Sequence, residues 1–394
     1  MTVNAALLSD RARGINVSGI RRVFELGAKL PDPINLSIGQ PDFEVPPAMR
    51  RAAAEAMDAR QNGYTLTHGT AALRERVAEH LAWDIGWRVG DGGPSVAITS
   101  GTSGALLTAF LSLIGPGDEA IIPDPYFVMY PVLGQLTHGK CVPCDTYPDF
   151  RMTAERVEPL INDRTKLVLL NSPGNPTGVV MSTKEVRDLL DLCRSKGVVL
   201  ISDEIYDEFT FSGGRTEPAI GDASSLRCPS PCRVDGSADD ILLIRGFGKT
   251  YGVTGWRLGY AAGPSWLIDA MNRIQQYTFV CPPAPLQAGA IESFGVDMRP
   301  QVDEYERRRN EVAGALSELT EVATPEGAFY AFVRVPESIG MTGSQLTEAL
   351  VERNVLVIPG GVFSGRDTHI RLSFSAPPAK LSEGVSIIAD LMKR

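Results

Sequence analysis

Several features are scarce in this sequence, and each scarcity excludes a class of protein. The chain has only six cysteines in 394 residues, too few for a scaffold held by disulfides. Its most apolar run, residues 105–114, is half the length of a bilayer span and predicts a buried helix rather than a membrane anchor. Residues 1–14 carry Asp10, Arg11 and Arg13 and lack an apolar centre, so we expect no signal peptide.

An excess of basic residues is also missing. Lysine and arginine number 38 against 47 acidic residues, a net charge of −9, which argues against general nucleic-acid binding. With 43% hydrophobic and 22% charged residues, the composition is that of a soluble globular protein. Its length predicts two or three domains around a large core. What is plentiful is glycine (39) and proline (28), spread over the whole chain, as expected for turns and for sites lined by backbone.

The cysteines leave one metal-site alternative. Cys141 and Cys144 form a C-x-x-C motif, and Cys228 and Cys232 form a C-x-x-x-C motif. Together they have the composition of a zinc site, but the two motifs lie 84 positions apart in unlike surroundings, and the four histidines show no ligand spacing. We therefore expect no metal, free cysteines and a cytoplasmic location, with zinc as the alternative.

Residues 94–262 repeat one theme, in which short apolar runs are followed by helix-like segments. The runs are uninterrupted, as in strands buried on both faces, and they are 96–99, 120–123, 167–171, 198–203, 241–245 and 258–262. Between two of them, residues 183–196 place Val186, Leu189, Leu190 and Cys193 on one helical face. This alternation predicts an α/β domain with a mostly parallel sheet. Ligands of such sheets bind beyond the carboxyl ends of the strands.

The pattern changes after residue 282. A long charged helix (301–319), a strand (329–335), a helix (344–353), an apolar run (355–358), a strand (370–375) and a final helix predict a smaller α+β domain. We expect residues 1–44 to join it, residues 45–284 to form the large domain and residues 285–394 to form the small one. Residues 212–240 are polar and aperiodic, and predict an exposed loop insertion.

Three strand ends carry polar residues of functional character. Residues 100–104 read SGTSG at the start of a helix, which predicts either an anion cradle of backbone N–H groups or a simple N-cap. Residues 171–178 read NSPGNPTG, a loop held rigid by its prolines that aims the Asn175 amide at one spot. Asp203 closes a buried strand, where a carboxylate is costly unless it caps a helix or meets a cation such as a protonated ring nitrogen.

A fourth strand end, GFGKT at residues 246–250, is half of a nucleotide-binding P-loop. The first glycine of that motif is replaced by Leu243, which argues against a nucleotide hydrolase. The other interpretation is a buried lysine, Lys249, that performs covalent chemistry after losing its charge, with Arg257 left to meet a phosphate.

These motifs together resemble the pyridoxal-phosphate-dependent aminotransferases of class I/II. The resemblance rests on NPTG at 175–178, DEIY at 203–206 and KTYGVTGWRLGY at 249–260. It extends from NLSIGQPDF at 35–43, through PEGAFY at 325–330 and PGGVF at 359–363, to HIRLSF at 369–374. It implies the fold type I of pyridoxal-phosphate enzymes, an α/β architecture with a mostly parallel seven-stranded sheet flanked by helices and a smaller α+β domain.

The resemblance also implies roles for the site residues. Lys249 would bind the cofactor, pyridoxal 5′-phosphate, as a Schiff base and would then shuttle a proton. Asp203 would keep the pyridine nitrogen protonated, and Asn175 and Tyr206 would hydrogen-bond the phenolate oxygen of the ring. Gly101, Thr102, Ser103 and Arg257 would bind the phosphate. Phe127, in PYFVMY at 125–130, would stack on the ring, its alternative being a place in the core.

Two further implied roles concern the substrate and a second subunit. Arg371 would grip the α-carboxylate of the substrate, helped by the Gly39 N–H, unless it is a salt-bridge partner in the small domain. Tyr64, in GYTLTHG at 63–69, resembles the tyrosine that reaches the neighbouring subunit's phosphate, which implies a homodimer, whereas the alternative is an aromatic in a turn. Gly248 departs from the family, which often has serine before the lysine.

The implied activity is ping-pong amino transfer from an amino acid, aspartate or aromatic, to a 2-oxo acid such as 2-oxoglutarate. Ser103 stands where some aspartate-specific relatives have lysine, which favours aromatic or mixed specificity. The alternative on the same fold is a pyridoxal-phosphate lyase or a related non-transaminating enzyme. No nucleic-acid or membrane partner is expected.

Overall fold

The computed structural model describes residues 7–90 and 92–393, so residues 1–6, which belong to the predicted N-terminal segment, and Arg394 of the predicted small domain lie outside the described residues. The strands are β1 (Ile34–Asn35), β2 (Ser95–Ser100), β3 (Glu119–Asp124), β4 (Lys140–Asp145), β5 (Thr165–Asn171), β6 (Val199–Asp203), β7 (Glu217–Ala219), β8 (Asp222–Arg227), β9 (Ile241–Gly246), β10 (Leu258–Gly263), β11 (Tyr330–Arg334), β12 (Val355–Leu356), β13 (Ile358–Pro359) and β14 (His369–Ser373).

The helices surround these strands. They are α1 (Asp10–Gly14), α2 (Gly19–Gly27), α3 (Pro47–Asp58), α4 (Ala71–Ile85), α5 (Gly101–Leu113), α6 (Met129–Thr137), α7 (Ala154–Val157), α8 (Thr183–Lys196), α9 (Phe247–Thr250), α10 (Ser265–Thr278), α11 (Ala284–Glu292), α12 (Arg299–Ser317), α13 (Gly343–Glu352) and α14 (Pro378–Met392). Within the described ranges, no helix has both the length and the apolar character needed to cross a bilayer.

The main sheet has seven strands in the order β2-β10-β9-β6-β5-β3-β4. Strand β10 runs antiparallel to β2 and β9, whereas the remaining neighbours are parallel. This confirms the predicted α/β fold with a mostly parallel sheet, and all six apolar runs are strands of it. The central strands read as continuous apolar runs because helices cover both faces of the sheet.

The seventh strand, β4, has no counterpart among the predicted runs. It is the edge strand beside β3, it is mostly exposed or half-buried, and it contains Pro143. An edge position tolerates proline because one side of the strand needs no ladder hydrogen bonds. Its sequence therefore lacks the buried pattern by which the other six strands are recognised.

Helix α8 has the bounds that its amphipathic pattern predicts. Val186, Leu189, Leu190 and Cys193 are buried against the sheet. Its first turn is fixed by a capping box, in which the Ser182 hydroxyl accepts from the Glu185 N–H and the Glu185 carboxylate accepts from the Ser182 N–H. The helix delivers the chain into β6, the strand that ends at Asp203.

A second, smaller core forms around β11, β14 and β13, which pair antiparallel in that order. The short strand β1 pairs in parallel with β12, Ile34 facing Val355 and Asn35 facing Leu356. Helix α14 packs on β1 and on α12. These contacts support our proposal that residues 1–44 and 285–394 share one domain, whose exact limits stay a prediction.

Residues 212–240 differ from the predicted exposed loop. They form the hairpin β7–β8 and several 3₁₀ turns, and they bury Glu217, Cys228, Ser230 and Cys232. The prediction was wrong because the polar residues of this segment pair with one another and with distant residues inside the protein, so their polarity does not indicate exposure. The six cysteines are free, and among the residues described no group of side chains suited to hold a metal occurs.

Candidate active site

A cavity of about 260 Å³ lies at the carboxyl ends of the central strands, where ligands of such sheets bind. It receives residues from the turns after β2, β5, β6 and β9 and from the small core. The sequence-predicted residues that line it are Gly39, Gly101, Thr102, Ser103, Phe127, Asn175, Asp203, Tyr206, Lys249, Arg257 and Arg371. Tyr64 is outside the cavity and its side chain is 89% exposed.

The start of α5 forms one wall of this cavity. Ser100 occupies the N-cap position, but its side chain makes no cap hydrogen bond, so the first N–H groups of the helix are left without a side-chain acceptor. Gly101 has φ +65°, and a Cβ built there would lie 2.5 Å from the Arg257 guanidinium. Glycine thus allows an arginine to lie directly against a helix N-terminus, an arrangement that favours an anion.

Asp203 is buried at the end of β6, 3% exposed. Its Oδ2 accepts a 2.8 Å hydrogen bond from the Tyr130 hydroxyl, and its Oδ1 accepts from the Ile205 N–H at 3.3 Å. No helix begins after it, so it is not a helix cap, and no basic side chain within the described ranges pairs with it. Burial raises the pKa of Asp203 to about 6, and the Tyr130 hydrogen bond opposes that rise.

Lys249 lies in the single turn of α9, and its Nζ donates to the carbonyl of Gly39. None of the described carboxylates forms a salt bridge with it. Burial, together with the charges of Arg371 and Arg257, lowers the pKa of Lys249 to about 8. The amine therefore loses its proton far more readily than an exposed lysine, which a nucleophile requires. Leu243 and the position of Thr250, which lines a different cavity, argue against the P-loop alternative.

Arg371 is held at the boundary between the two cores and is 1% exposed. Its Nη1 donates to Asn175 Oδ1 at 3.1 Å and its Nη2 to the Ser37 carbonyl at 2.9 Å. Its guanidinium lies 4.4 Å from the centroid of the Tyr330 ring. In the part of the chain that is described, it forms no salt bridge and its Nε has no hydrogen-bond partner, so the alternative role as a salt-bridge partner is not realised.

The loop after β5 is tied to the end of β6. Asn171 Nδ2 donates to the Asp203 carbonyl at 3.0 Å, and Asn171 Oδ1 accepts from the Asn175 N–H at 2.8 Å. The Asn175 side chain is thereby placed between Asp203 and Arg371. Its Oδ1 accepts a hydrogen bond from Arg371, and its Nδ2 can donate a hydrogen bond to a ligand.

Among the cavity residues that were not singled out from the sequence are Tyr130, Tyr330 and Thr254. Tyr130 holds Asp203, Tyr330 shares a 3.1 Å hydrogen bond with Tyr206, and Thr254 lines the wall beside Arg257. The Tyr330 hydroxyl also packs directly against Gly39. A Cβ added to Gly39 would lie only 2.3 Å from the oxygen of that hydroxyl. Tyr130 and Tyr330 end the motifs PYFVMY and PEGAFY, so the signal was their position in those motifs.

Phe127 and Tyr64 complete the predicted set. Phe127 is half-buried at the cavity and meets the Tyr130 ring edge to face, with centroids 5.6 Å apart. It presents apolar surface to the cavity and is not enclosed in the core. Tyr64 is at the surface, and Leu66, two positions later in the chain, is also exposed.

The cavity has an unusual charge balance. It contains three basic groups (Lys249, Arg257 and Arg371) and one carboxylate (Asp203), and among the described residues none of the four has an ionic partner. A larger cavity of about 630 Å³ lies beside Thr250 and Tyr251, but most of its charged side chains are paired, as Arg76 is with Glu79 and Arg227 with Glu208, while Arg215 donates to backbone carbonyls. Unpaired charges at a strand end indicate an anionic ligand that also carries a cationic atom near Asp203.

Comparison with known proteins gives a consistent result. The family model described as "Aminotransferase class I and II" matches residues 31–388. An aromatic-amino-acid aminotransferase of Thermococcus litoralis is 32% identical over 98% of each chain. An aspartate aminotransferase of Pyrococcus abyssi is 31% identical over 98% of each chain.

Solved structures agree. An aspartate aminotransferase from Thermus thermophilus with maleate superposes with a TM-score of 0.88 at 30% identity, covering 98% of this chain and 99% of that one. An aromatic aminotransferase from Pyrococcus horikoshii OT3 gives a TM-score of 0.84 at 30% identity, covering 95% and 98% of the two chains.

Proposed function

The chain belongs to the class I and II aminotransferase family, and from that premise we propose that the cavity around Lys249 is its active site. The enzyme is a pyridoxal-phosphate-dependent aminotransferase, which moves an amino group from an amino acid to a 2-oxo acid. The single observation that carries the location of the site is the convergence on one cavity of Lys249, Arg257, Arg371 and Asp203, none of which has an ionic partner among the residues that the structure describes.

The residues present fit the cofactor at each of its charged ends. The helix N-terminus at Gly101, Thr102 and Ser103, with Arg257 against it, offers N–H donors and a positive charge to the phosphate. At the other end, the buried carboxylate of Asp203 offers a partner for a protonated pyridine nitrogen. When bound there, pyridoxal phosphate supplies an electron sink for the bonds at the substrate's α-carbon.

Asp203 acts by holding charge at its Oδ atoms. The Tyr130 hydroxyl and the Ile205 N–H both donate to this carboxylate, so they stabilise its ionised form against the burial that raises its pKa. A negative Asp203 keeps a proton on the ring nitrogen opposite. Asn175 Nδ2 and the Tyr206 hydroxyl would hydrogen-bond the ring's phenolate oxygen, and Phe127 would stack on the ring.

Lys249 supplies the amine that links the cofactor to the protein and the base that moves the α-proton. With a pKa near 8, its Nζ can exist in either protonation state near neutral pH, which is the condition for efficient proton transfer. The guanidinium charges of Arg371 and Arg257 lower this pKa. Both side chains therefore make Lys249 easier to deprotonate, in addition to their proposed roles in binding.

Arg371 fixes the substrate. Its Nε is buried and has no hydrogen-bond partner within the described residues. We propose that the Nε–H, together with the Gly39 N–H, donates to the α-carboxylate of the amino acid. Held between the Tyr330 and Phe363 rings, with centroids 4.4 and 4.7 Å from its Cζ, the guanidinium has little freedom to reorient. This orients the substrate before the proton is removed.

For the substrate side chain we propose an aromatic or mixed preference, with 2-oxoglutarate as an acceptor. Of the basic residues that line the cavity, Arg257 and Arg371 are assigned to the phosphate and the α-carboxylate, and Lys249 reacts. No described residue of this chain's cavity remains as a cation for a second carboxylate, whereas Ile20, Phe127 and Ile205 offer apolar surface. The relatives' names include both aspartate and aromatic enzymes, and support either choice.

A homodimer and a cytoplasmic location are also part of this proposal. The 89% exposed Tyr64 and the exposed Leu66, two positions later in the chain, support a partner subunit at this surface. The six free cysteines support a reducing compartment.

The decisive experiment replaces the amine. We expect Lys249→Ala to abolish the absorbance of the protein-linked cofactor and to reduce turnover by about ten-thousandfold or more, since both the covalent link and the base are lost. The assay follows 2-oxo acid formation and amino-acid formation together, because equal yields indicate transfer and an unmatched oxo acid with ammonia indicates elimination. Full activity in the variant contradicts the assignment of Lys249.

A further inference from the structure

A network of buried charges lies beneath the site, on the face of the sheet opposite the cavity. Asp203 faces the cavity, whereas the carboxylate of the next residue, Glu204, lies in this network and is 2% exposed. Its Oε1 accepts from the Ser202 hydroxyl at 2.8 Å and from the Ser230 hydroxyl at 2.6 Å. Its Oε2 accepts two hydrogen bonds from Arg245, at 3.0 and 2.8 Å.

The Glu204–Arg245 pair joins the two strands that carry the proposed catalytic groups. Asp203 faces Ile244 across the β6–β9 ladder, and the Glu204 N–H donates to the Ile244 carbonyl at 2.9 Å. Arg245 is the next residue of β9 and precedes Lys249 by four positions. The ion pair therefore fixes the end of β6 to the end of β9, and with them the separation between Asp203 and Lys249.

Residues of the 212–240 segment close this network from outside. Arg233 donates to Asp84 Oδ1 at 2.5 Å and to Glu217 Oε2 at 3.0 Å. Asp84 also accepts from Arg245 at 2.6 Å, and Glu217 accepts from the Ser230 N–H at 3.0 Å. Each of these groups is buried, and a buried ion is stable only where its partners are all in place. The segment thus bonds Glu204 directly, through the Ser230 hydroxyl, and reaches Arg245 through Asp84, which accepts from both Arg233 and Arg245.

We propose that Ser230 and Arg233 are positioning residues, which act through Glu204 and Arg245 to hold Asp203 and Lys249 at the separation that the cofactor needs. This inference rests on the roles proposed above for Asp203 and Lys249. It gives the 212–240 segment a function in cofactor binding, although none of its residues lines the cavity.

The test measures the dissociation constant of pyridoxal phosphate for the apoenzyme, the kcat and KM of transfer, and the thermal unfolding midpoint. For Ser230→Ala we expect about a fivefold weaker pyridoxal phosphate affinity and about a fivefold lower kcat, because Glu204 loses one of its hydrogen bonds and the strand ends loosen. KM for the amino acid should stay within about twofold, since Arg371 is not touched. Ser230→Thr, which keeps the hydroxyl, should restore the cofactor affinity.

A second serine of the 212–240 segment provides the matched control. The Ser224 hydroxyl is exposed and bonds only Asp222 beside it, at 2.6 Å, so Ser224→Ala should bind the cofactor as the wild type does. A purely stabilising role for Ser230 predicts a lower unfolding midpoint with wild-type cofactor affinity and kcat, and that result overturns the inference. If Ser230→Ala does not fold, the same measurements are made on Arg233→Lys. This variant keeps a positive charge beside Asp84 but cannot donate to Asp84 and Glu217 at the same time, as the two Nη atoms of Arg233 do.

The same measurements separate this inference from the proposed function. A wild-type apoenzyme that fails to bind pyridoxal phosphate contradicts the proposed function. A wild-type apoenzyme that binds it with the same affinity as Ser230→Ala and Arg233→Lys contradicts only the positioning role.

Discussion

Asp203 shows how one neighbouring side chain can change the pKa of a buried carboxyl group. Burial raises its pKa to about 6, and the hydrogen bond from Tyr130 lowers it. The sequence locates Asp203 because a carboxylate that closes an apolar strand is conspicuous. It does not locate the function of Tyr130, since the hydrogen bond joins residues 73 positions apart and no local pattern reports such a pair.

This interaction predicts a pH-dependent effect. Tyr130→Phe removes a donor to the carboxylate, so the pKa of Asp203 should rise above 6 and less of it should be ionised at pH 6 than in the wild type. Because the ionised form pairs with the protonated ring nitrogen, we expect the variant's pyridoxal phosphate affinity to fall by about tenfold at pH 6 and by less at pH 8. Equilibrium titration of the apoenzyme at both pH values measures this.

A buried tyrosine outside the site serves as control. Tyr251 lines the larger cavity, so Tyr251→Phe should change the affinity equally, or not at all, at the two pH values. An affinity loss in Tyr130→Phe that is the same at pH 6 and pH 8 speaks against the proposed link to Asp203.

At the scale of elements, prediction from sequence succeeds where one face of an element is apolar and local signals mark its ends. Helix α8 has both features, and its bounds match the prediction. Strand β4 has neither, because it is an exposed edge. Residues 212–240 gave a wrong prediction of exposure because Arg233 pairs with Asp84, 149 positions away in the chain. In the sequence, the charged residues of a buried ion pair look the same as those of a solvated surface.

The N-terminus of α5 offers a test at this scale. In Gly101→Ala the added methyl lies 2.5 Å from the Arg257 guanidinium, on a backbone with positive φ that alanine disfavours. We expect Arg257 to be displaced and the pyridoxal phosphate affinity to fall by about tenfold or more, because the phosphate loses a charged donor.

Gly314 provides the comparison for that variant. It lies within α12, and a Cβ there would meet no atom within 4 Å, so Gly314→Ala should leave the cofactor affinity unchanged and stabilise the helix by about 1 kcal/mol. Cofactor affinity in Gly101→Ala equal to that of Gly314→Ala refutes the phosphate cradle.

For the whole molecule, the overall charge of −9 gives no indication of the ligand. The basic groups of the cavity create a positive region inside an acidic protein, because local geometry outweighs the net charge at short range. Composition excludes several classes of protein and the alternation of apolar runs predicts the fold class, whereas the identity of the ligand depends on which few charges lack partners. Whether a charged side chain lacks an ionic partner can be seen only in the three-dimensional structure.

The proposed homodimer can be tested by mixing two inactive variants. If Tyr64 serves the partner's site, a heterodimer of Lys249→Ala and Tyr64→Ala chains contains one site with both Lys249 and Tyr64 intact. Random reassociation of equal amounts should then restore about a quarter of the wild-type activity at limiting pyridoxal phosphate. The mixture stays inactive if Tyr64 acts on its own subunit, or if the protein is a monomer.

The strand order has a consequence for how the protein is made. Strand β2, which leads into the phosphate cradle at Gly101, joins the main sheet only through β10, and β10 is synthesised more than 150 residues later. A growing chain on the ribosome therefore holds β2 without its sheet partner until Gly263 has emerged. Pairing across so long a stretch is slow and leaves apolar surface exposed meanwhile. Capture of the cofactor must accordingly follow synthesis of most of the chain.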